Sequence, residues 1–371
     1  MAYGQVNADV IGTSVSGSNL GAGNASIMKN RIINGNFVID QRNAGASVTP
    51  TDGQYTLDRF VCRQTTASKF SVQQNAGSIT PPVGFTNYLG VTSLSAFSVG
   101  AGDIFQVAQN IEGFNVADLG WGSSNAKTIT LSFQVYSSLT GTFGGCISNG
   151  ANNRSYPFNY SIPVANTWTS ISITIAGDTT GTWITTNGIG MQVKIGLGVG
   201  STYSGTAGSW SANGYNSSTG ATSVVGTNGA TFYITGVQLE VGSSATGFEY
   251  VNYQTSLANC QRYYYKTISD SSYAQVGTAF LSGSTAGTAT FPFPVPMRVI
   301  ASSIDWTGLA TCQYASAPAI AWTSSSLSGQ QTKNLGNVNF STGSSAGGTG
   351  LAVQIIANNN ANAYIGFSAE L

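Results

Sequence analysis

The sequence contains no histidine. Its absence removes Ser–His–Asp and Cys–His catalysis, histidine metal sites and imidazole acid–base chemistry together. Charge is also scarce. Asp, Glu, Lys and Arg make up 7% of the 371 residues, against roughly 25% in an ordinary globular domain, and the formal net charge is +0. Such a surface has little to attract phosphate backbones or anionic lipid, so neither nucleic acid nor a membrane is an expected partner. No apolar run reaches the roughly 18 residues of a transmembrane helix. The opening residues, MAYGQVNADV, lack a basic start followed by an apolar core, so the expectation is no secretion signal and assembly in a host cytoplasm.

Cysteine is sparse. Cys62, Cys146, Cys260 and Cys312 are far apart with no C-x-x-C pair, which favours buried free thiols over a disulfide framework. No phosphate-cradling G-x-x-x-x-G-K-[ST] occurs. Nothing in the chain calls for a cofactor. The thirteen acidic residues leave only a carboxylate pair as a catalytic option, and Asp103, Glu112 and Asp118 are the one cluster of interest. Asp103 and Glu112 are nine positions apart on one strand, about 30 Å if extended, too far to act together. Glu240 and Glu249 suit a solvated rim or, with backbone oxygens, a structural calcium. The expectation is a protein that is not an enzyme.

In place of charge the chain has 47 glycines, abundant Ser, Thr and Asn, and 11% aromatics. Normal hydrophobicity with zero net charge argues against disorder and for a folded β-protein with a neutral polar surface. Residues 1–27 show no periodicity and read as an arm that orders on docking. From Met28, short alternating runs are punctuated by Gly, Asn, Ser and Pro. Ile129, Leu131, Phe133 and Val135 share one face of the strand KTITLSFQVY, with Ser132, Gln134 and Tyr136 on the other. Ile171, Ile173 and Ile175 repeat the pattern, as do Met191, Val193, Ile195, Leu197 and Val199. In TFYITGVQLEV the phase changes at Gly236, which predicts a β-bulge.

One helix is expected over residues 251–267, with Tyr253, Leu257, Cys260 and Tyr264 on a single stripe. It serves either as a strut on its own domain or as a seam around a symmetry axis. In TFPFPVPMRV, Phe291, Phe293, Val295 and Met297 alternate with three prolines, which predicts an edge strand or an extended segment with one free side. The fold class expected is all-β: a sandwich over residues 28–250, the helix, and a smaller β-sandwich over 268–371. The aromatics suggest neutral sugar as a ligand, since Trp and Tyr rings stack on pyranose faces while amides and hydroxyls bind their OH groups. Gln134 and Tyr136 on one strand face, and Trp183, Tyr203, Trp210 and Tyr215 in polar loops, are the candidates. The alternative is that these rings pack under loops or between subunits. Trp121 and Trp168 are assigned to the core or its rim.

Three stretches resemble a class of bacteriophage tail-fibre and tail-associated proteins: KNRIINGNFVIDQRNAGASVT with YTLDRFVC, LSFQVYSS, and FYITGVQLEVGSSATGFEYVNYQTSLANCQRYYYK. The similarity spans roughly residues 20–300, and its last stretch is the most specific. It implies a jelly-roll akin to carbohydrate-binding modules, a homotrimer on the virion, a virion-anchoring arm at 1–27 that docks on other tail or capsid proteins, and host attachment through surface polysaccharide. The leading expectation is therefore a tail-fibre or receptor-binding subunit of the virion. The alternatives are a capsid head fibre or decoration protein without glycan binding, and a polysaccharide depolymerase.

Overall fold

The computed structural model describes residues 28–313 and 317–371; the arm expected at 1–27 lies outside the described residues. The chain divides into two units, the first ending at Val251 and the second comprising Asn252–Leu371.

The first unit has thirteen strands among its described residues. In chain order they are β1 (Tyr55–Leu57), β2 (Phe60–Gln64), β3 (Phe70–Gln74), β4 (Leu89–Ser93), β5 (Ile104–Glu112), β6 (Ile129–Ser137) and β7 (Gly141–Ser148). There follow β8 (Ser155–Ile162), β9 (Thr169–Ile175), β10 (Ile189–Val199), β11 (Ser204–Gly205), β12 (Ser217–Ser218) and β13 (Thr231–Val241). Two antiparallel sheets result, ordered β1-β2-β5-β10-β7-β8 and β3-β4-β13-β6-β9, with β11 and β12 a short parallel pair. This is a jelly-roll sandwich, as expected.

Alternation drives it. Ile129, Leu131, Phe133 and Val135 on β6 are buried, as are Met191, Val193, Ile195 and Leu197 on β10. Each such side chain contributes about 1.5–3 kcal/mol when taken out of water. Rings from the two sheets meet between them: Phe133 of β6 lies edge-on to Tyr160 of β8, with centroids 5.1 Å apart. At Gly236 the register of β13 against β6 slips between Thr235 and Gln238, and φ is +63°. The predicted bulge is there. Before it Phe232 and Ile234 point inward, and after it Val237 and Leu239 do. That change of phase turns Gln238 and Glu240 toward the outer face.

The second unit starts with helix α1 (Tyr253–Gln261), capped by Asn252, whose side chain accepts a hydrogen bond from the Thr255 N–H. The helix is shorter than the sequence suggested. Tyr264 opens a strand, β14 (Tyr264–Ile268), so the four-residue stripe is broken. Tyr253 is exposed, while Cys260 and Tyr264 are buried within the unit. A seam through all four is therefore not available.

The other strands are β15 (Gln275–Leu281), β16 (Ala286–Pro292), β17 (Ser303–Thr307), β18 (Leu309–Cys312), β19 (Ile320–Leu327), β20 (Leu335–Thr342), β21 (Ala352–Ala357) and β22 (Tyr364–Ser368). The second β unit is present, and its larger sheet closes into a barrel, β15-β16-β20-β19-β18-β21, beside a three-stranded sheet β14-β22-β17. From Phe291 the proline-rich run is the extended segment with one free side, bonded to β20 and the residues just before it, and not an edge strand of the sheet. β16 pairs on both sides, with β15 and β20. Pro292 ends it, and Pro294 and Pro296 fall beyond the ladder, where a missing N–H costs nothing. The alternation itself is kept, with Phe291 and Met297 buried and the three prolines exposed.

Candidate functional site

The outer face of the five-stranded sheet carries a groove of about 330 Å³. Its floor follows from strand register. Ser132 and Gln134 of β6 stand opposite Ser172 and Ser170 of β9, all pointing away from the core. The Ser170 hydroxyl donates to Gln134 Oε1 at 3.0 Å. One wall is the segment Ala245, Thr246, Gly247, Phe248 and Tyr250, and Phe85 completes the rim. Phe85, Phe248 and Tyr250 pack on one another with centroids 5.1–5.9 Å apart. The bulge makes room for them, since a Cβ at Gly236 would come within 2.6 Å of the Phe85 ring. Hydroxyls and an amide thus face an aromatic wall, and no charged residue lines the groove.

The wall belongs to no strand and is held by side chains. Glu240 Oε1 accepts from Thr246 N at 2.8 Å and from Gln238 Nε2 at 2.8 Å, while its Oε2 accepts from Thr246 Oγ1 at 2.6 Å. Gln238 Oε1 accepts from Glu249 N at 2.8 Å. From the N-terminal side, Asn30 N donates to Glu249 Oε2 at 2.6 Å and Lys29 Nζ to the Gly247 carbonyl. Neither a solvated rim nor a calcium site describes Glu240. It is fully buried and bonded to the wall, because the bulge turned it toward the loop.

Among the sugar-contact candidates, only Gln134 lines the groove. Tyr136 is stacked on Tyr233 (5.4 Å, 10°) and leans on Trp168, in a cluster with Tyr88. The Trp168 N–H donates to the Thr80 carbonyl, so this ring cluster is tied to the loop after β3. Trp183 and Trp210 pack edge-to-face with Trp121 against the sandwich core (4.7–5.6 Å). All three indole N–H groups are taken by backbone carbonyls, of Lys127, Thr180 and Ala176. The Tyr203 carbonyl accepts from Asn216 N, and the Tyr215 ring covers Gly205 while its hydroxyl accepts from Asn213 Nδ2. Trp183 and Trp210 pack on the core and Tyr215 on Gly205, and none of the four lines the groove. Sequence reasoning missed Ser132, Ser170 and Ser172 as a floor, although the alternation of β6 and β9 already placed them outward. Phe85, Phe248 and Tyr250 gave no periodic signal.

Two members of the acidic cluster are bonded within the fold. Asp103 accepts from Gly100 N and the Thr65 hydroxyl, and Asp118 pairs with Arg31 at 2.8 Å. Among the described residues no group of three or more His, Cys, Asp or Glu is placed to hold a metal ion. All four cysteines are buried, and burial pushes the Cys62 and Cys146 thiols up to about 12, away from reactive thiolate.

The outer face of the six-stranded sheet is closed. Gln192 bridges Asn110 (2.9 Å) and Ser148 (3.1 Å), and Ser217 and Ser218 lie over Gly144. Lys194 is buried there with its Nζ on Asn152 Oδ1 at 2.6 Å, and burial lowers its pKa to about 8. Nearby, Arg154 grips Asp178 through Nε and Nη2, both at 2.7 Å.

No family model matches the chain, and no curated protein does. Among solved structures it is similar to the enzymatically active domain of tailspike protein 4 from bacteriophage CBA120, at 13% identity over 57% of this chain and 21% of that one, with a TM-score of 0.33. The chain thus spans about a fifth of that protein's length. It is also similar to a candidate sugar-binding protein from Bacteroides thetaiotaomicron (12% identity, 58% and 100% covered, TM-score 0.34). A third is the family 11 carbohydrate-binding module of Clostridium thermocellum in complex with a mixed-linked tetrasaccharide (12% identity, 54% and 98% covered, TM-score 0.27). The fold assignment rests on the strand order and register above, not on these similarities.

Proposed function

We propose that this chain is a glycan-binding structural subunit of a bacteriophage particle, of the tail-fibre or receptor-binding kind, that holds neutral host-surface polysaccharide in the groove of its first unit. One observation carries the glycan half: an open groove pairs a floor of hydroxyls and an amide with an aromatic wall and contains no charge. Sugar hydroxyls are donors and acceptors at once, so Ser132, Gln134, Ser170 and Ser172 suit them, while the apolar faces of pyranose rings suit Phe248 and Tyr250. The lining also holds no carboxylate, whereas glycoside hydrolysis uses two, so we read the groove as a binding surface and not a catalytic one. The phage half rests on the sequence resemblance, as do the trimer and the docking of residues 1–27 on a virion protein.

The test is binding of the full-length protein to an array of neutral bacterial-surface oligosaccharides, with Tyr250→Ala beside the wild type. Binding that weakens in the variant is expected. A protein that binds no glycan and no host cell overturns the adhesion reading. Immunogold labelling of particles then separates a tail position from a head fibre or capsid decoration.

A further inference from the structure

The groove wall at residues 245–250 has no strand partner, yet it borders the floor along the groove. Surface loops are ordinarily more mobile than the elements they connect. Here the loop is held from beneath. Glu240 is fully buried, and both of its oxygens are engaged by a single wall residue, Oε1 by Thr246 N and Oε2 by Thr246 Oγ1. This two-point grip fixes the backbone and the rotamer of Thr246, one of the residues that line the groove. Hydrogen bonds to a desolvated carboxylate are short and about twice as strong as neutral ones. Gln238, two positions earlier and on the same face of β13, reinforces the grip by donating to Glu240 and accepting from Glu249 N. Glu240 itself does not line the groove.

We infer that Glu240 is the positioning residue of the groove: by gripping Thr246 it sets the spacing between the aromatic wall and the Ser132–Ser172 floor, and so sets glycan affinity without touching the glycan. The inference deepens the glycan-binding reading and rests on it. The geometry has a directional consequence. Gln in place of Glu240 keeps the volume but removes the charge: its Oε still accepts from Thr246 N and its NH₂ donates to the Thr246 hydroxyl, so both contacts persist only as weaker neutral hydrogen bonds. Thr246→Val keeps the shape and deletes only the hydroxyl, and Thr246→Ser restores it.

The experiment combines amide hydrogen exchange at residues 245–250 with titration of the best neutral oligosaccharide from the array, on full-length Glu240→Gln, Thr246→Val and Thr246→Ser. Glu240→Gln and Thr246→Val are expected to exchange about tenfold faster at the wall and to bind about tenfold more weakly, with Thr246→Ser close to wild type. Thr246 sits on an exposed loop, so its variants report even if Glu240→Gln misfolds. Wild-type exchange and affinity in Thr246→Val would overturn the inference, as would faster exchange with unchanged affinity. If the wild type binds no sugar, the glycan reading and the affinity claim fall together, while the exchange data still show whether Glu240 holds the wall.

Discussion

Two aromatic triads in the first unit have similar geometry and opposite surroundings. Trp121, Trp183 and Trp210 lie edge-to-face at 4.7–5.6 Å, and Phe85, Phe248 and Tyr250 pack at 5.1–5.9 Å. In the first, each indole N–H is spent on a backbone carbonyl and the rings rest on the core. In the second, the rings border open hydroxyls and Tyr250 is 57% exposed. Polar groups divide the same way. Lys194 and Arg154 are bonded within the sandwich, whereas Ser170 and Ser172 face outward. The proposed ligand surface thus differs from the closed one in the exposure of its rings and hydroxyls, not in residue type.

The comparison can be broken most forcefully at its closed side. Trp121→Ala should cost about 3–5 kcal/mol in urea denaturation, because it opens a cavity under two other indoles, with sugar affinity of the folded fraction unchanged. A loss of affinity in the still-folded variant would place the tryptophans in the binding surface. Lys194 comes next. Its folded pKa is about 8 against an ordinary 10.5, so the unfolded chain binds more protons between those values and stability should rise with pH across that window. Lys194→Met should remove that slope and add up to about 3 kcal/mol at pH 7. A variant less stable than wild type at pH 7 would contradict the burial argument.

A smaller effect is expected at Asp178. Burial acts to raise its pKa, but Arg154 and the Thr180 N–H and hydroxyl outweigh it and hold the carboxyl below its usual value. The stability this contributes is present above the ordinary carboxylate pKa and lost as pH falls through the depressed folded value. Asp178→Asn should cost about 2 kcal/mol at pH 7 and almost nothing in strong acid; an equal cost at both would remove the ion pair from the account. On the open side, Tyr250→Ala should leave the denaturation midpoint nearly unmoved while weakening glycan binding by about 1–2 kcal/mol. Calorimetric titration beside thermal melts reads both halves.

Much of the fold was legible because strand alternation is a local property. Ile129, Leu131, Phe133 and Val135 announced β6, and Gly236 announced the bulge, since burial of one face is written every second residue. The barrel of the second unit was not legible. Closure depends on pairing β15 with β21, about 80 positions apart, and on register that no local pattern encodes. The end of α1 was misjudged for a related reason. Tyr264 continues the 4, 3, 4 spacing but is recruited by β22, so a tertiary ladder overrode a helical pattern. Of the site, the floor was half visible: Gln134 and its outward neighbours follow from period two. Its aromatic wall lies in a loop that follows no period; the loop backbone is bonded by Gln238 and Glu240, and the rings pack on one another. Trp183 and Trp210 sit in loops of the same composition and point the other way.

Plugging the groove tests the central claim most directly. Ser172→Trp places an indole on the floor of the sheet's outer face without touching the core. This full-length variant is predicted to melt with the wild type and to lose binding to host cells and to array oligosaccharides, while Trp210→Phe, which loses the indole N–H bonded to the Ala176 carbonyl, melts lower and keeps binding. Undiminished binding by Ser172→Trp would contradict that claim.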